Sequence, residues 1–322
     1  MQVSFVRIHK VFFAALCAAL FIGSAFGQIG LRTAMDFDHD GHADLTVFGP
    51  DGGLWYILKS NGSGMIVQPW GVANTDTPTP GDYDGDGAGD ISVWRDTDGL
   101  FYTINSSNGT ITTTQWGSSG AEPCSRDYDG DGKTDYCVIG RTGGVMTWWI
   151  LKSTGGVVAT QWGRSESFAV PGDYDGDGKY DLAIQDPGAG PNDQAVFWIL
   201  NSHDGSWTVA PWGVSRSYAV PGDYDGDGKT DLAVVADGGT PDSQLQWWIL
   251  LSGSQTVRVV DFGLTGDALL TQNDYDGDGK TDVSIWSNST GVWYILQSSD
   301  NAYVARQWGS PGVFPVEAYD TH

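Results

Sequence analysis

Residues 127–135 read DYDGDGKTD, and the same nine letters recur at residues 223–231 and 274–282. Close variants are DFDHDGHAD at 36–44, DYDGDGAGD at 82–90 and DYDGDGKYD at 173–181. The six copies start at residues 36, 82, 127, 173, 223 and 274, which gives intervals of 46, 45, 46, 50 and 51 residues. A motif that recurs at such a period is typical of a repeat architecture.

Each copy is followed by short runs of strand-like sequence in a fixed order. In the first repeat these are an alternating run at 45–47, an aromatic run at 55–58 and a run that ends in the pair Trp70-Gly71, and a further short run precedes the next acidic loop. Four strands in about 45 residues are the content of one β-propeller blade. The pattern therefore predicts an all-β propeller of four-stranded blades, six in number with seven as the alternative, and with the acidic loop in the first hairpin of each blade.

The domain organisation follows from the repeats and from both ends of the chain. Residues 1–27 have a basic start, an apolar stretch at 11–22 and small residues before a cleavage point, as in a secretory signal peptide. An uncleaved membrane anchor is the alternative, and no later segment could span a membrane. We expect one propeller domain over 28–322, in which a closing strand within 310–320 shares a blade with 29–44.

The acidic loop has the ligand spacing of a calcium site. Aspartates at loop positions 1, 3, 5 and 9 supply carboxylate oxygens, position 7 supplies a backbone carbonyl, and glycine at position 6 permits the turn. Position 12 holds an apolar residue of a strand-like run instead of the glutamate of an EF-hand. We therefore expect the loop to join two strands rather than two helices. A metal-free Asp-Gly hairpin is the alternative. The predicted ligands of about six calcium ions are Asp36, Asp38, Asp40, His42, Asp44, Asp82, Asp84, Asp86, Ala88, Asp90, Asp127, Asp129, Asp131, Lys133, Asp135, Asp173, Asp175, Asp177, Lys179, Asp181, Asp223, Asp225, Asp227, Lys229, Asp231, Asp274, Asp276, Asp278, Lys280 and Asp282.

The repeat resembles the FG-GAP or VCBS-type repeat of secreted bacterial proteins and the calcium loops of integrin α-subunit propellers. The resemblance covers residues 36–309, and the pair Phe262-Gly263 retains the Phe-Gly of the family name, where other repeats have Trp-Gly. It implies a propeller with calcium in its hairpin loops. It implies much less about function, because this fold carries adhesion modules, lectins and enzyme domains alike.

Several residues outside the loops are candidates for other roles. Cys124 and Cys137 flank the third loop, so a cross-strand disulfide is predicted, with two buried thiols as the alternative. Trp94, Trp207 and Trp286 depart from the repeat pattern and are candidate platforms for sugar rings, although packing between blades is the competing explanation. The long loops 186–195 and 236–245 add polar candidates for a binding groove, namely Asn192, Asp193 and Asp242, with a solvated surface insertion as the alternative.

The net charge of the chain limits the classes of partner that it can bind. The chain has 40 acidic and 16 basic residues, a formal net charge of −24, which disfavours nucleic acid. No nucleophile elbow or zinc-type histidine cluster is visible. We therefore predict a secreted or periplasmic, monomeric, non-catalytic binding or cell-adhesion module for glycans or extracellular surface proteins. An extracellular polysaccharide lyase or hydrolase is one alternative, with Arg95, Arg164, Glu166 and Arg216 as candidates, and a structural surface or matrix component is the other.

Overall fold

The computed structural model describes residues 34–240 and 242–316. The predicted signal peptide at 1–27 and the ends of the predicted domain lie outside these residues. The described residues form six four-stranded antiparallel sheets, so the predicted all-β propeller of six blades is confirmed. The strands are β1 (Leu45–Gly49), β2 (Leu54–Leu58), β3 (Met65–Pro69), β4 (Asp76–Pro78), β5 (Ile91–Arg95), β6 (Leu100–Ile104), β7 (Ile111–Gln115), β8 (Glu122–Pro123), β9 (Tyr136–Thr142), β10 (Val145–Leu151), β11 (Val157–Arg164), β12 (Phe168–Ala169), β13 (Leu182–Asp186), β14 (Gln194–Leu200), β15 (Trp207–Val214), β16 (Tyr218–Ala219), β17 (Leu232–Ala236), β18 (Gln244–Leu250), β19 (Val257–Leu264), β20 (Ala268–Leu270), β21 (Val283–Ser287), β22 (Val292–Leu296), β23 (Tyr303–Gln307) and β24 (Phe314–Pro315).

Blades 2 to 6 each use four strands that are consecutive in the chain, from β4–β7 to β20–β23. Blade 1 has the order β24-β1-β2-β3, so its first strand comes from the far end of the sequence. In this pairing Phe314 lies opposite Phe48 and Pro315 opposite Val47, and the amide of Val316 donates to the carbonyl of Thr46 over 3.0 Å. The closing strand expected within 310–320 is thus β24, and it pairs with β1, the strand that directly follows the segment 29–44 in blade 1.

The hydrophobic core is divided among the six interfaces between neighbouring blades. Each cluster of buried side chains joins two blades, because alternate residues of a strand point to opposite faces and both faces of a blade are covered. The second and third strands supply the largest buried rings, such as Trp148 and Trp247, which are both fully buried. The fourth strand is exposed at alternate positions, as in β3 and β11.

A tryptophan at the end of the fourth strand links each blade to the next at five of the six interfaces. Its indole N–H donates to a carbonyl in the third strand of the following blade, at a position occupied by an equivalent aromatic residue each time. The nitrogen-to-oxygen distances are 2.9 Å from Trp70 to Tyr102, 2.9 Å from Trp116 to Trp149, 3.2 Å from Trp162 to Trp198, 3.2 Å from Trp212 to Trp248 and 3.2 Å from Trp308 to Tyr56. We call these five residues the strap tryptophans.

Candidate metal centre

The acidic loops occupy equivalent places in the fold. In blades 2 to 6 each loop joins the first strand to the second, and in blade 1 the loop at 36–44 leads directly into β1. A backbone pair closes the loop, as between Gly81 and Asp90. Inside it, Gly85 and Gly87 have φ angles of 80° and 88°, a left-handed backbone that suits glycine.

The position-1 and position-9 aspartates hold the loop in shape. In the second loop, Asp82 accepts the amides of Gly85 over 2.6 Å and Gly87 over 2.9 Å, one on each carboxylate oxygen. Asp90 is fully buried and accepts the amides of Tyr83 over 2.8 Å and Ser106 over 2.6 Å. These bonds fix a compact turn with its carboxylates facing inward.

Three of the six position-3 aspartates have carboxylate oxygens that the protein itself leaves unsatisfied. Both carboxylate oxygens of Asp38, and Oδ1 of Asp129 and of Asp225, are shielded from solvent and accept no hydrogen bond within the part of the chain that the structure describes. Buried polar atoms normally have a partner, so these oxygens indicate a missing ligand. A hard cation that prefers oxygen ligands would satisfy them.

In most of the loops the predicted ligands come together in threes. Each group places one carboxylate oxygen per residue within 4.8 Å of the others, and a sixth group is present besides the five named here. The five groups are Asp36, Asp38 and Asp40; Asp82, Asp84 and Asp86; Asp127, Asp129 and Asp135; Asp173, Asp175 and Asp181; and Asp223, Asp225 and Asp231.

Burial makes the position-9 carboxylates difficult to ionise without a cation. Loss of hydration raises the pKa of Asp44 and Asp282 to about 7, and that of Asp135, Asp181 and Asp231 to about 6. Neighbouring aspartates in the same loop raise the pKa further by like-charge repulsion, whereas backbone amides oppose the shift. A divalent cation among the oxygens would offset both unfavourable effects.

A serine on the opposite hairpin supports each loop, and the sequence pattern of the loop alone did not reveal it. In the second blade the hydroxyl of Ser106 donates to the position-5 carboxylate of Asp86 over 3.0 Å, while its amide binds Asp90. The signal is a leucine or isoleucine, any residue and a serine at the end of the third strand. The six serines with these two contacts are Ser60, Ser106, Ser153, Ser202, Ser252 and Ser298.

Neighbouring loops are joined by backbone hydrogen bonds that run around the whole ring. The amide at position 8 of each loop donates to the position-1 carbonyl of the preceding loop. The bonds are Gly89 to Asp36 at 2.8 Å, Thr134 to Asp82 at 2.7 Å, Tyr180 to Asp127 at 2.9 Å, Thr230 to Asp173 at 2.7 Å, Thr281 to Asp223 at 2.7 Å and Ala43 to Asp274 at 2.8 Å. The loops therefore form one closed girdle, in which each site borders two others.

Position 7, predicted to offer only its carbonyl, also contributes a side chain to the contact between loops. The ammonium groups of Lys133 and Lys229 donate to the carbonyls of Asp84 and Asp175 in the preceding loops, over 2.7 Å and 2.9 Å. His42 takes this place where the girdle closes, since its Nδ1 lies 3.3 Å from the carbonyl of Tyr275.

The other candidate residues have mixed surroundings. Trp94 and Trp286 are 2% and 0% exposed, and their indoles donate to carbonyls at the ends of the fourth strands, so they offer no face to a sugar. Trp207 is 61% exposed and stacks on Trp198 at 5.9 Å. Cys124, directly after β8, and Cys137, in β9, are buried thiols joined by a backbone hydrogen bond, and they do not form the expected disulfide in the structure.

The polar loop candidates and the candidate catalytic residues are dispersed. Asn192 and Asp193 are exposed between β13 and β14, and Asp242 is exposed between β17 and β18. Arg95 pairs with Asp76 in blade 2. Arg164, the last residue of β11, pairs with Glu166 over 3.1 Å, and Arg216 lies between β15 and β16.

Comparison with known proteins gives one family match and several structural likenesses. The FG-GAP-like repeat family matches residues 127–184 and 173–234, and no curated protein matches the chain significantly. TolB from Acinetobacter baumannii has a similar structure, with 14% identity, a TM-score of 0.54 and coverage of 85% of this chain and 68% of TolB. AofleA from Arthrobotrys oligospora has 9% identity, a TM-score of 0.48 and 90% coverage of both chains.

The likeness to TolB shows a shared fold and carries nothing about activity. In the described residues, no helix has the length and hydropathy needed to cross a bilayer. The predicted resemblance is confirmed where the family matches, across three of the acidic loops. Residues 127–234 therefore consist of FG-GAP-like repeats, and they form part of a six-bladed β-propeller.

Proposed function

We propose that this protein is a secreted, calcium-stabilised β-propeller that acts as a non-catalytic binding module for glycans or for proteins of an extracellular surface. The observation that carries the proposal is the set of buried, unsatisfied carboxylate oxygens in three of the acidic loops, at Asp38, Asp129 and Asp225. Carboxylate and carbonyl oxygens in a flexible loop suit calcium, which takes six to eight oxygen ligands.

The proposed location supports calcium as the ion. A leader at 1–27 would export the chain to a compartment where calcium is abundant, and extracellular calcium sites typically bind with dissociation constants of about 0.1–1 mM. Ions in the loops would stabilise the girdle, because they bind the folded state in preference to the unfolded one.

The binding role rests on the architecture. An FG-GAP-type propeller is in general a scaffold for binding, and here the hairpins between the second and third strands differ from blade to blade while the strands keep their pattern. The longest of these hairpins, in blades 4 and 5, present exposed polar residues such as Asn192 and Asp242. Such hairpins form a rim that can contact a partner.

The test has two parts, each on purified protein that starts at residue 28. Calcium titration should raise the melting temperature and magnesium should do so much less, because magnesium demands a tighter octahedral shell. A glycan array probed in calcium and in EDTA should give binding that EDTA abolishes. A melting temperature indifferent to calcium would contradict the metal sites, and folded protein without any glycan ligand would leave surface proteins as the partner class to screen.

A further inference from the structure

One of the six blade interfaces lacks the strap tryptophan. Between blades 5 and 6 the equivalent residue is Phe262, which has no indole N–H to donate to the carbonyl of Tyr294. Phenylalanine is also smaller than tryptophan, so the space that an indole fills at the other interfaces is left open here.

A cleft of about 460 Å³ lies at this place. Phe262 and Leu264 line it from blade 5, and Tyr294 and Tyr303 line it from blade 6. Sites for small molecules commonly have volumes of about 300–1,000 Å³, so this cleft is large enough for a ligand.

The aromatic side of the cleft is a platform. The ring of Tyr303 is 62% exposed, stacks on Tyr294 with 6.0 Å between centroids, and meets Phe262 edge to face at 6.1 Å. An exposed aromatic ring held by two others presents an apolar surface at little cost in conformational entropy. The C–H face of a pyranose ring is a suitable partner for such a surface.

The rest of the lining supplies hydrogen-bonding groups and no positive charge. Gln244, Asp261 and Thr290 are exposed and line the cleft, and they offer an amide, a carboxylate and a hydroxyl. None of the residues that line it within the described part of the chain is basic. Vicinal hydroxyl groups match these donors and acceptors, whereas a carboxylated or sulfated sugar would meet the charges of Asp261 and Asp267.

We propose that the cleft between blades 5 and 6 binds the neutral end of a glycan, with the sugar ring against Tyr303 and its hydroxyl groups on Gln244, Asp261 and Thr290. This inference rests on the proposed function as a binding module and gives it a site and a ligand class. It also assigns a role to Phe262, the one departure from the strap tryptophans.

The experiment compares variants on an array of neutral and acidic glycans in calcium. Phe262→Trp should restore the strap, fill the cleft and reduce binding to neutral glycans by about tenfold or more. Tyr303→Ala removes the exposed platform, is safe for folding because the ring is largely solvated, and should have a similar effect. Trp207→Ala is the matched control, because Trp207 stacks on Trp198 in the same way at an interface that keeps its strap, Trp162.

The outcomes separate this inference from the proposed function. Neutral glycans bound by the wild type and by Trp207→Ala, but not by the two cleft variants, would support the site. Three results would each overturn the site while leaving the calcium-dependent module in place. The first is binding that is lost in Trp207→Ala and kept in Phe262→Trp. The others are a preference for acidic glycans and the absence of glycan binding by protein that calcium stabilises. A thermal melt indifferent to calcium would instead count against the proposed function, whatever the array shows.

Discussion

Replacement of Asp225 by asparagine should lower the melting temperature in calcium. In EDTA it should leave the melting temperature unchanged or raise it. Oδ1 of this side chain is buried without a hydrogen-bond partner, and Oδ2 accepts the amide of Gly253 over 3.2 Å. Asparagine keeps the shape of the side chain but removes one charge from the group formed with Asp223 and Asp231. Without a cation that charge is repulsive, and with calcium it is a ligand.

The size of the effect follows from the number of loops. A site with a dissociation constant of about 1 mM contributes about 1.4 kcal/mol to the free energy of unfolding at about 10 mM calcium, and six such sites contribute about 8 kcal/mol. For a domain of this length that corresponds to a calcium-dependent rise in melting temperature of about 15 °C or more, of which one site supplies about 3 °C.

The assay is a thermal melt of the wild type, Asp225→Asn and a control, each in EDTA and in calcium. Asp51→Asn is the matched control, because Asp51 is exposed in the turn between β1 and β2 and lies outside the acidic loops. We expect the Asp225 variant to lose about 3 °C in calcium only. An equal loss in both conditions would mean that Asp225 has a purely structural role, and the reasoning about the metal would be refuted.

Three further predictions concern the fold. In EDTA the free energy of unfolding, measured by urea denaturation, should fall between pH 5 and pH 7.5. Burial raises the folded-state pKa of Asp44 and Asp282 to about 7, while unfolded aspartates titrate near about 4, so the folded state holds protons that it loses as pH rises. A rise in stability over this range would contradict the prediction. Val316→Ala removes buried methyl groups beside β24 and should cost about 1–3 kcal/mol in urea unfolding, and an unchanged midpoint would show that this residue does not secure blade 1. Trp116→Phe deletes the 2.9 Å bond to the Trp149 carbonyl and should cost at least about 1 kcal/mol, whereas no loss would mean that the straps do not hold the blades together.

The sequence was sufficient for the architecture because the same loop and the same strand pattern occur six times. Local turn chemistry at Gly85 and Gly87 and alternation along the strands then point to one answer. Exposure was harder to predict. Trp94 and Trp286 depart from the repeat, which suggested an exposed surface, but each is buried beside a short hairpin, where a large ring fills the space.

The contacts between repeats were beyond what a repeat pattern encodes. The serine beneath each loop, such as Ser106, lies 16 residues or more after the last aspartate, and only the blade fold brings the two together. Phe262 was visible as a departure from Trp-Gly, yet its effect depends on the partner it fails to reach, the carbonyl of Tyr294 in the next blade. Such a consequence requires the packing of two blades.

The pairing of β24 with β1 has a mechanical consequence. The strands are antiparallel, so the start of β1 and the end of β24 lie at the same end of the pair. Tension applied to both ends of the chain would therefore break the hydrogen bonds of this two-residue pairing one after another, instead of loading all of them at once in shear. A propeller held by one end would carry no load across this seam, whereas one tethered at both ends would open at blade 1 while the other five blades kept their pairing.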